Sequence, residues 1–446
     1  MNGGPIPLCT HHPGQTIVWR RGETVTASEF LQDVARLARQ LPHHGYVFNL
    51  CEDRYRFMVG FAAALQRRQV SLMPQNSTAG AVNDLRSRFP DSYCLIDKPV
   101  SGIENPQLDF ERLLAQAGKA GTATPLAIEA ERQAAILFTS GSTGEPRMHV
   151  KQWGSLQYEA AQALSHFPFR DMGVRSMVAT VPSQHMYGLA TSVLFPWQGA
   201  FGIDAARPLF PADICQTLAR LPAPRVLITT PLHLRACIAA GLDWPPIAFA
   251  ISATAPLPRS LAAEAETHLG TSLYEIYGST ETGSVAGRRT VNETAWRLYP
   301  GISIQPHDAG CRIEGGHLAE PVLLNDRVST ESDQRFHLLG RSSDMVKIAG
   351  KRASLGDLTH QLLSIPGVVD GLFLPPAETT AGQRLTALVV APTLSKRQIL
   401  DSLSRSIDAV FLPRPLHRVE AIPRNATGKV TRAGVQQLLK SLDRLA

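Results

Sequence analysis

The chain has 446 residues, enough to bury a sizeable core and, at about 150 residues per domain, to form two or three domains. Hydrophobic residues make up 44% and charged residues 18%, a globular balance rather than a disordered one. The net charge of +6 comes from scattered Lys and Arg, with no run of five or six like charges and no basic stripe interleaved with aromatics; this argues against a nucleic-acid binder and leaves polyphosphate or an acidic partner as suitable company.

The six cysteines (Cys9, Cys51, Cys94, Cys215, Cys237 and Cys311) form no Cys-x-x-Cys pair, so neither a zinc knot nor a disulfide framework is expected, in keeping with a reducing cytoplasm. Met1–Thr10 lacks a basic stretch followed by an apolar one, and nowhere do about 18 apolar residues run together. The expectation is a cytoplasmic protein without signal peptide or membrane span.

Thr26 and Glu29 have capping-box spacing, and Phe30, Val34, Leu37 and Leu41 recur at helical intervals, which predicts a helix from about Thr26 to Leu41. A strand at Tyr46–Leu50, a helix carrying Phe57, Met58, Phe61 and Leu65 to near Arg67, and a strand at Val70–Met73 follow. Continuous apolar runs at Ala134–Phe138, Ser176–Val181, Arg225–Thr229, Ile247–Ile251 and Leu273–Ile276 each end in a Gly, Pro, Ser or Thr cluster, as strands covered on both faces do. The fold class is therefore α/β, with largely parallel sheets over residues 1–340. After Gly340 come a charged loop (Arg341–Asp357), a short helix, strands at Val368–Leu374 and Leu385–Val390, a helix at Lys396–Val410 and a basic tail, which reads as a small α+β domain over residues 341–446.

Directly after the run Ala134–Phe138 stands Thr139-Ser140-Gly141-Ser142-Thr143-Gly144-Glu145-Pro146-Arg147. Such a loop offers backbone N–H groups and hydroxyls to polyphosphate oxygens, although no Gly-Lys-Ser/Thr closes it as in a P-loop. Tyr277-Gly278-Ser279-Thr280-Glu281-Thr282 again follows a predicted strand; its aromatic can stack on adenine and its carboxylate can hold Mg2+ beside phosphates. Asp326 with Gly340-Arg341, and Thr427-Gly428-Lys429 after Ile422-Pro423-Arg424, add a carboxylate and cations. Each alone is an ordinary turn or a solvated surface charge; their joint occurrence in this order is what carries weight.

Together these segments resemble the adenylate-forming family that includes acyl- and aryl-CoA synthetases, peptide-synthetase adenylation domains and luciferase, over almost the whole chain. The resemblance implies that Thr139, Ser140, Gly141, Ser142, Thr143 and Gly144 wrap the β- and γ-phosphates of ATP, with Arg147 where the family usually carries Lys. Ser252-Ala253-Thr254-Ala255-Pro256-Leu257-Pro258 resembles the family's Ser-Gly-Gly-Ala-Pro-Leu turn beside adenine and the acyl pocket. By the same resemblance Tyr277, Gly278 and Ser279 border the nucleotide, Thr280 contacts the α-phosphate, Glu281 ligates Mg2+, and Asp326 with Arg341 holds the ribose. Lys429 bridges the substrate carboxylate and the α-phosphate, and His185 gates an acyl pocket formed with Tyr187, Gly188, Ala253 and Gly278.

Two departures stand out. The hinge about which the family's small domain rotates is usually Asp; here that position is Ser343, followed by Asp344. The stretch before the phosphate loop is also short for the family. What the resemblance implies is ATP- and Mg2+-dependent activation of a carboxylic acid to acyl-AMP, then transfer to a phosphopantetheine thiol of CoA or an acyl carrier protein. The methyl of Ala253 would narrow the pocket toward a short or planar acid such as a benzoate, and the compact chain loosely resembles ligases that load hydroxybenzoate-type starters in aryl-polyene or xanthomonadin-like pathways. The alternatives are a medium- or long-chain fatty acid–CoA ligase and a non-catalytic nucleotide-binding relative. A monomer or homodimer is expected.

Overall fold

In the computed structural model, which describes residues 4–20, 22–74, 76–118, 125–139, 146–341, 344–348, 351–375, 384–424 and 430–443, the apolar runs pair into two large sheets. The first has the spatial order Arg147–Gln152, Gln133–Thr139, Val70–Met73, Tyr46–Asn49, Ser92–Ile96, Gln107–Asp109. All its pairings are parallel except that of Arg147–Gln152 on Gln133–Thr139. The second sheet has a parallel centre: Thr16–Arg20, Gly202–Asp204, Ser176–Ala179, Arg225–Thr229, Phe249–Ser252 and Ser272–Ser279. Beyond Ser279 it continues antiparallel through Gly283–Arg289, Trp296–Leu298, Arg335–Arg341 and Asp326–Ser332, and Glu23–Thr26 closes the other edge.

The parallel strands are continuous apolar runs because each side chain has a core to enter. Val226 and Ile228 face the main core between the sheets, while Leu227 faces a second cluster with Ile214, Leu218 and Leu234 of the covering helices. Alternate residues thus leave water on both faces. The first helix, Ala27–Gln40, starts where its capping box predicts: Glu29 N–H donates to Thr26 Oγ1 at 3.2 Å, and Thr26 N–H donates to the Glu29 carboxylate at 2.8 Å. Trp197 joins three helices in the main core, with ring centroids 5.7 Å from Phe30, 6.3 Å from Phe61 and 6.4 Å from Trp153. Among the described residues no helix is long and apolar enough to cross a membrane.

Ile348, Leu358, Leu362, Phe373, Leu385, Val389, Ile399 and Leu403 form a separate core near the C-terminal end. It packs under the strands Asp370–Leu374, Thr386–Val390 and Leu416–Arg418. Two expectations here need correction. The stretch expected as a charged loop forms paired strands, Met345–Ile348 and Lys351–Ser354, whose Val346 and Ala353 lean on this core. The helix expected to reach Val410 ends at Leu403: the Ser404 hydroxyl donates to the Asp401 carbonyl, and Asp408 caps a separate turn at Ala409–Phe411. Short polar side chains that bond the local backbone compete with helix continuation. The basic tail, in turn, contains the helix Arg432–Asp443.

Three partly buried histidines should make the fold acid-sensitive. Burial lowers His11, His166 and His233 to about 4, the neighbouring charges of Arg297 and Arg207 adding to the effect at the last two. The folded values lie below the usual 6.5, so the unfolded chain takes up more protons between about pH 6.5 and 4; stability is full above 6.5 and is lost as the pH falls through that window. Unfolding free energies from urea titrations should be lower at pH 5 than at pH 7, by at most about 1.4 kcal/mol per pH unit per histidine, with a lower midpoint. Equal midpoints would mean these imidazoles are protonated at little cost.

Candidate active site

The carboxyl ends of the parallel strands lie side by side, the edge at which open α/β sheets bind ligands. The strand Ser272–Ser279 enters a tight turn there. Thr282 N–H donates to the Ser279 hydroxyl and Ser279 N–H to the Thr282 hydroxyl, both at 3.2 Å, a local device that short hydroxyl side chains supply. Gly283 takes φ +69, and a Cβ on it would collide with the Glu159 carboxylate. The turn presents Thr280 and Glu281, both partly exposed, to the site.

On the strand leading into the turn, Tyr277 is buried between Trp296 and Phe336, ring centroids 5.5 Å away in each case. Its hydroxyl donates to Asp326 Oδ2 at 3.0 Å, and Arg341 Nε donates to Asp326 Oδ1 at 3.0 Å. Asp326 and Arg341 are opposed partners in one antiparallel pair, so strand register, not loop conformation, sets their meeting. Burial and the Asp326 charge raise the Tyr277 phenol far above its ordinary range, which keeps it a donor. The carboxylate retains unused lone pairs for a vicinal diol, and the exposed Arg341 stands beside it.

On the phosphate side, Ser140, Gly141, Ser142, Thr143 and Gly144 lie outside the described residues. Their flanks are in place: Thr139 ends one strand, and the exposed Arg147 opposes it at the start of the next. Thr139 Oγ1 is 2.9 Å from His149 Nε2, which stands 3.8 Å from Glu281 Oε1. Lys151, buried, donates to the Glu281 carbonyl at 2.8 Å, and Glu159, also buried, accepts from both the backbone N–H and the hydroxyl of Ser284 at 2.7 Å. Burial would raise the Glu281 carboxyl, but hydrogen bonds from its own N–H and the Ser279 hydroxyl, with the charges of His149 and Lys151, hold it below the usual value. Burial lowers His149 from its ordinary value, opposed by the Glu281 charge and helped by those of Lys151 and Arg147. Among the described residues no three His, Cys, Asp or Glu side chains converge on a metal position. An ionised, accessible Glu281 fits Mg2+, which keeps most of its waters and shares one carboxylate with substrate phosphates.

His149, Lys151 and Glu159 were not anticipated from the sequence. No local pattern marks them: in Arg147–Gln152 the apolar Met148 and Val150 are 46% and 49% exposed while Lys151 turns inward, the reverse of ordinary strand patterning.

Around the expected acyl pocket, His185 precedes the short helix Met186–Leu189 as its N-cap residue. The Tyr187 hydroxyl reaches the carbonyls of Thr229 and Ile251, each at 3.1 Å, and so spans the ends of two parallel strands next to Ala253. Gly188 lies against the Pro182 carbonyl with no room for a Cβ. Thr254 has φ +79, a region that costs a β-branched residue on the order of 1–3 kcal/mol, and its buried hydroxyl has no partner among the described residues. Ala255 is partly exposed, Pro256 exposed, and Gly278 abuts the Gly283 carbonyl. Arg54, fully buried, donates to Ser183 at 3.0 Å and to the Ala179 carbonyl at 2.8 Å, and also bonds Ser192, bracing the segment that carries His185.

Ser343 and Lys429 lie outside the described residues, whereas Asp344 is described. Arg424, shortly before Lys429, forms a bidentate pair with Asp370 at 2.7 and 3.0 Å.

Residues 8–317 match the AMP-binding enzyme family, and the chain belongs to it. A 4-coumarate–CoA ligase of Rhodobacter capsulatus is 30% identical over 314 residues, 68% of this chain and 76% of that protein. The fold is shared with ATP-bound MatB from Rhodopseudomonas palustris (TM-score 0.81, 19% identity, 96% of this chain and 97% of that one) and with the anthranilate CoA ligase AuaEII in complex with anthranoyl-AMP (TM-score 0.80, 15% identity, 98% and 99%). The chain is accordingly an adenylate-forming ligase of the acid–CoA ligase kind, a class that works with ATP, Mg2+ and CoA.

If Asp326 holds the ribose, Asp326→Ala should weaken AMP binding about tenfold or more in calorimetric titration, since a hydrogen bond to a charged group contributes about 1.5–3 kcal/mol. An unchanged affinity would take Asp326 out of the nucleotide site.

Proposed function

We propose that this ligase activates a small aromatic carboxylic acid, a hydroxybenzoate-like one, and passes the acyl group to the phosphopantetheine thiol of CoA or an acyl carrier protein. The observation that carries the nucleotide part is the convergence of Tyr277, Asp326 and Arg341 beside the turn bearing Thr280 and Glu281. In the first step a carboxylate oxygen attacks the α-phosphorus, an acyl–phosphate anhydride forms, and the bond to the β-phosphate oxygen breaks to release pyrophosphate. In the second, a thiol sulfur attacks the acyl carbon, AMP leaves with the bridging oxygen, and the thiol proton passes to solvent. The acid needs no general base, because it is already ionised at pH 7; the protein's task is positioning and charge stabilisation.

Residues 139–144 and Arg147 would cradle the outer phosphates, and Thr280 the α-phosphate. Mg2+ held at Glu281 would supply charge neutralisation to the polyphosphate. Residues 341–446 would form the small domain that brings Lys429 between the two reacting anions and turns about Ser343 and Asp344. Small aromatic acids are favoured by the wall at Ser252–Pro256: Ala253 is buried, and strained Thr254 stands where a glycine would leave more room. The 4-coumarate and anthranilate ligases named above point the same way.

Carboxylate-dependent ATP–pyrophosphate exchange across benzoates, cinnamates and short and long fatty acids tests this. Exchange with hydroxybenzoates or cinnamates is expected; exchange confined to fatty acids would overturn the aromatic assignment, and none at all would overturn the activity. Lys429→Ala should lower the exchange rate about 100-fold or more while leaving ATP binding nearly intact. A normal exchange rate would remove Lys429 from its assigned role.

A further inference from the structure

In the strand Arg147–Gln152, Lys151 is buried and His149 partly buried, while the apolar Met148 and Val150 are exposed. Lys151, 8% exposed, is fixed by its hydrogen bond to the Glu281 carbonyl, with the carboxylates of Glu159 and Glu281 near enough for their charges to act on it. A buried ammonium is costly, and an apolar residue set among apolar partners often serves a fold as well or better, so stability alone does not account for a lysine here. Eight residues on, Glu159 grips Ser284 at the far side of the same turn. One strand–helix segment therefore holds the turn at both ends, at the carbonyl of residue 281 and the amide of residue 284. His149, on the same strand face, touches the Thr139 hydroxyl at the start of the phosphate loop and faces the Glu281 carboxylate.

We infer that Lys151 is a positioning residue that fixes the Glu281 turn for metal-bound polyphosphate, and that His149 ties this turn to the entry of the phosphate loop. The inference rests on reading Glu281 as the carboxylate that meets Mg2+. Aligned through Lys151, the carboxylate is set by the segment that also leads out of the phosphate loop, so phosphates and metal are received by one continuous element. Partners that orient a metal carboxylate contribute about ten- to a hundredfold in metal affinity.

The test is Lys151→Met in the full chain, with ATP binding titrated against Mg2+, AMP binding measured without metal, and thermal unfolding followed in parallel. The expected result is an approximately tenfold rise in the Mg2+ concentration needed for half-maximal ATP binding, with AMP affinity unchanged. A wild-type Mg2+ requirement would overturn the inference; so would a parallel loss of melting temperature and AMP affinity, the mark of a purely structural lysine. Lys151→Arg keeps a donor in altered geometry and should give an intermediate, few-fold rise, which carries the test if the methionine variant does not fold. Glu281→Gln separates the two levels of the argument. If it raises the Mg2+ requirement and Lys151→Met does not, only the positioning role falls; if neither does, the reading of Glu281 as metal carboxylate falls and takes the inference with it.

Discussion

The turn Ser279–Ser284, held at one end by Lys151 and at the other by Glu159, is the constraint on which the site depends. It is where the parallel centre of the large sheet becomes antiparallel, and where the edge strand Arg147–Gln152 of the other sheet touches it. Two polar anchors from one segment fix its path more tightly than apolar packing would, since each bond demands a particular distance and direction. The charges so placed do not cancel within the protein. Glu281 is held ionised and partly exposed beside a phosphate-loop flank, a state that favours a cation shared with polyphosphate.

The antiparallel extension does the complementary work. Asp326 and Arg341 come from strands far from the turn in sequence, yet register makes them opposite neighbours, and the Tyr277 hydroxyl closes the triangle from the parallel side. The proposed nucleotide contacts therefore sit on strands, where backbone pairing limits movement. The expected catalytic Lys429 comes from the C-terminal part, whose core is separate. That division would suit the proposed reaction of two successive attacks on different atoms, one half keeping the adenylate while the other exchanges what approaches it.

The parallel half of the fold was legible in the sequence for a physical reason: strands buried on both faces are uninterrupted apolar runs, as at Ala134–Phe138, Arg225–Thr229 and Leu273–Ile276. The antiparallel half was not, because half-exposed strands such as Asp326–Ser332 and Arg335–Arg341 alternate with polar residues and read as loop. Thr139, Tyr277, Glu281, Asp326 and Arg341 could be named from the order of their motifs. His149, Lys151 and Glu159 could not, since their importance lies in contacts between segments about 130 residues apart, which no local pattern encodes. The helix that stops at Leu403 shows the same limit at short range: periodicity continued while serine hydroxyls and an aspartate cap diverted the backbone.

A crystal structure with a non-hydrolysable aryl-adenylate mimic would show directly whether these strands hold the nucleotide. Adenine is expected against Tyr277, the ribose hydroxyls within hydrogen-bond distance of Asp326, and the aryl group against Ala253 near His185. A mimic bound away from the Tyr277–Asp326–Arg341 triangle, or no binding at millimolar concentration, would contradict it.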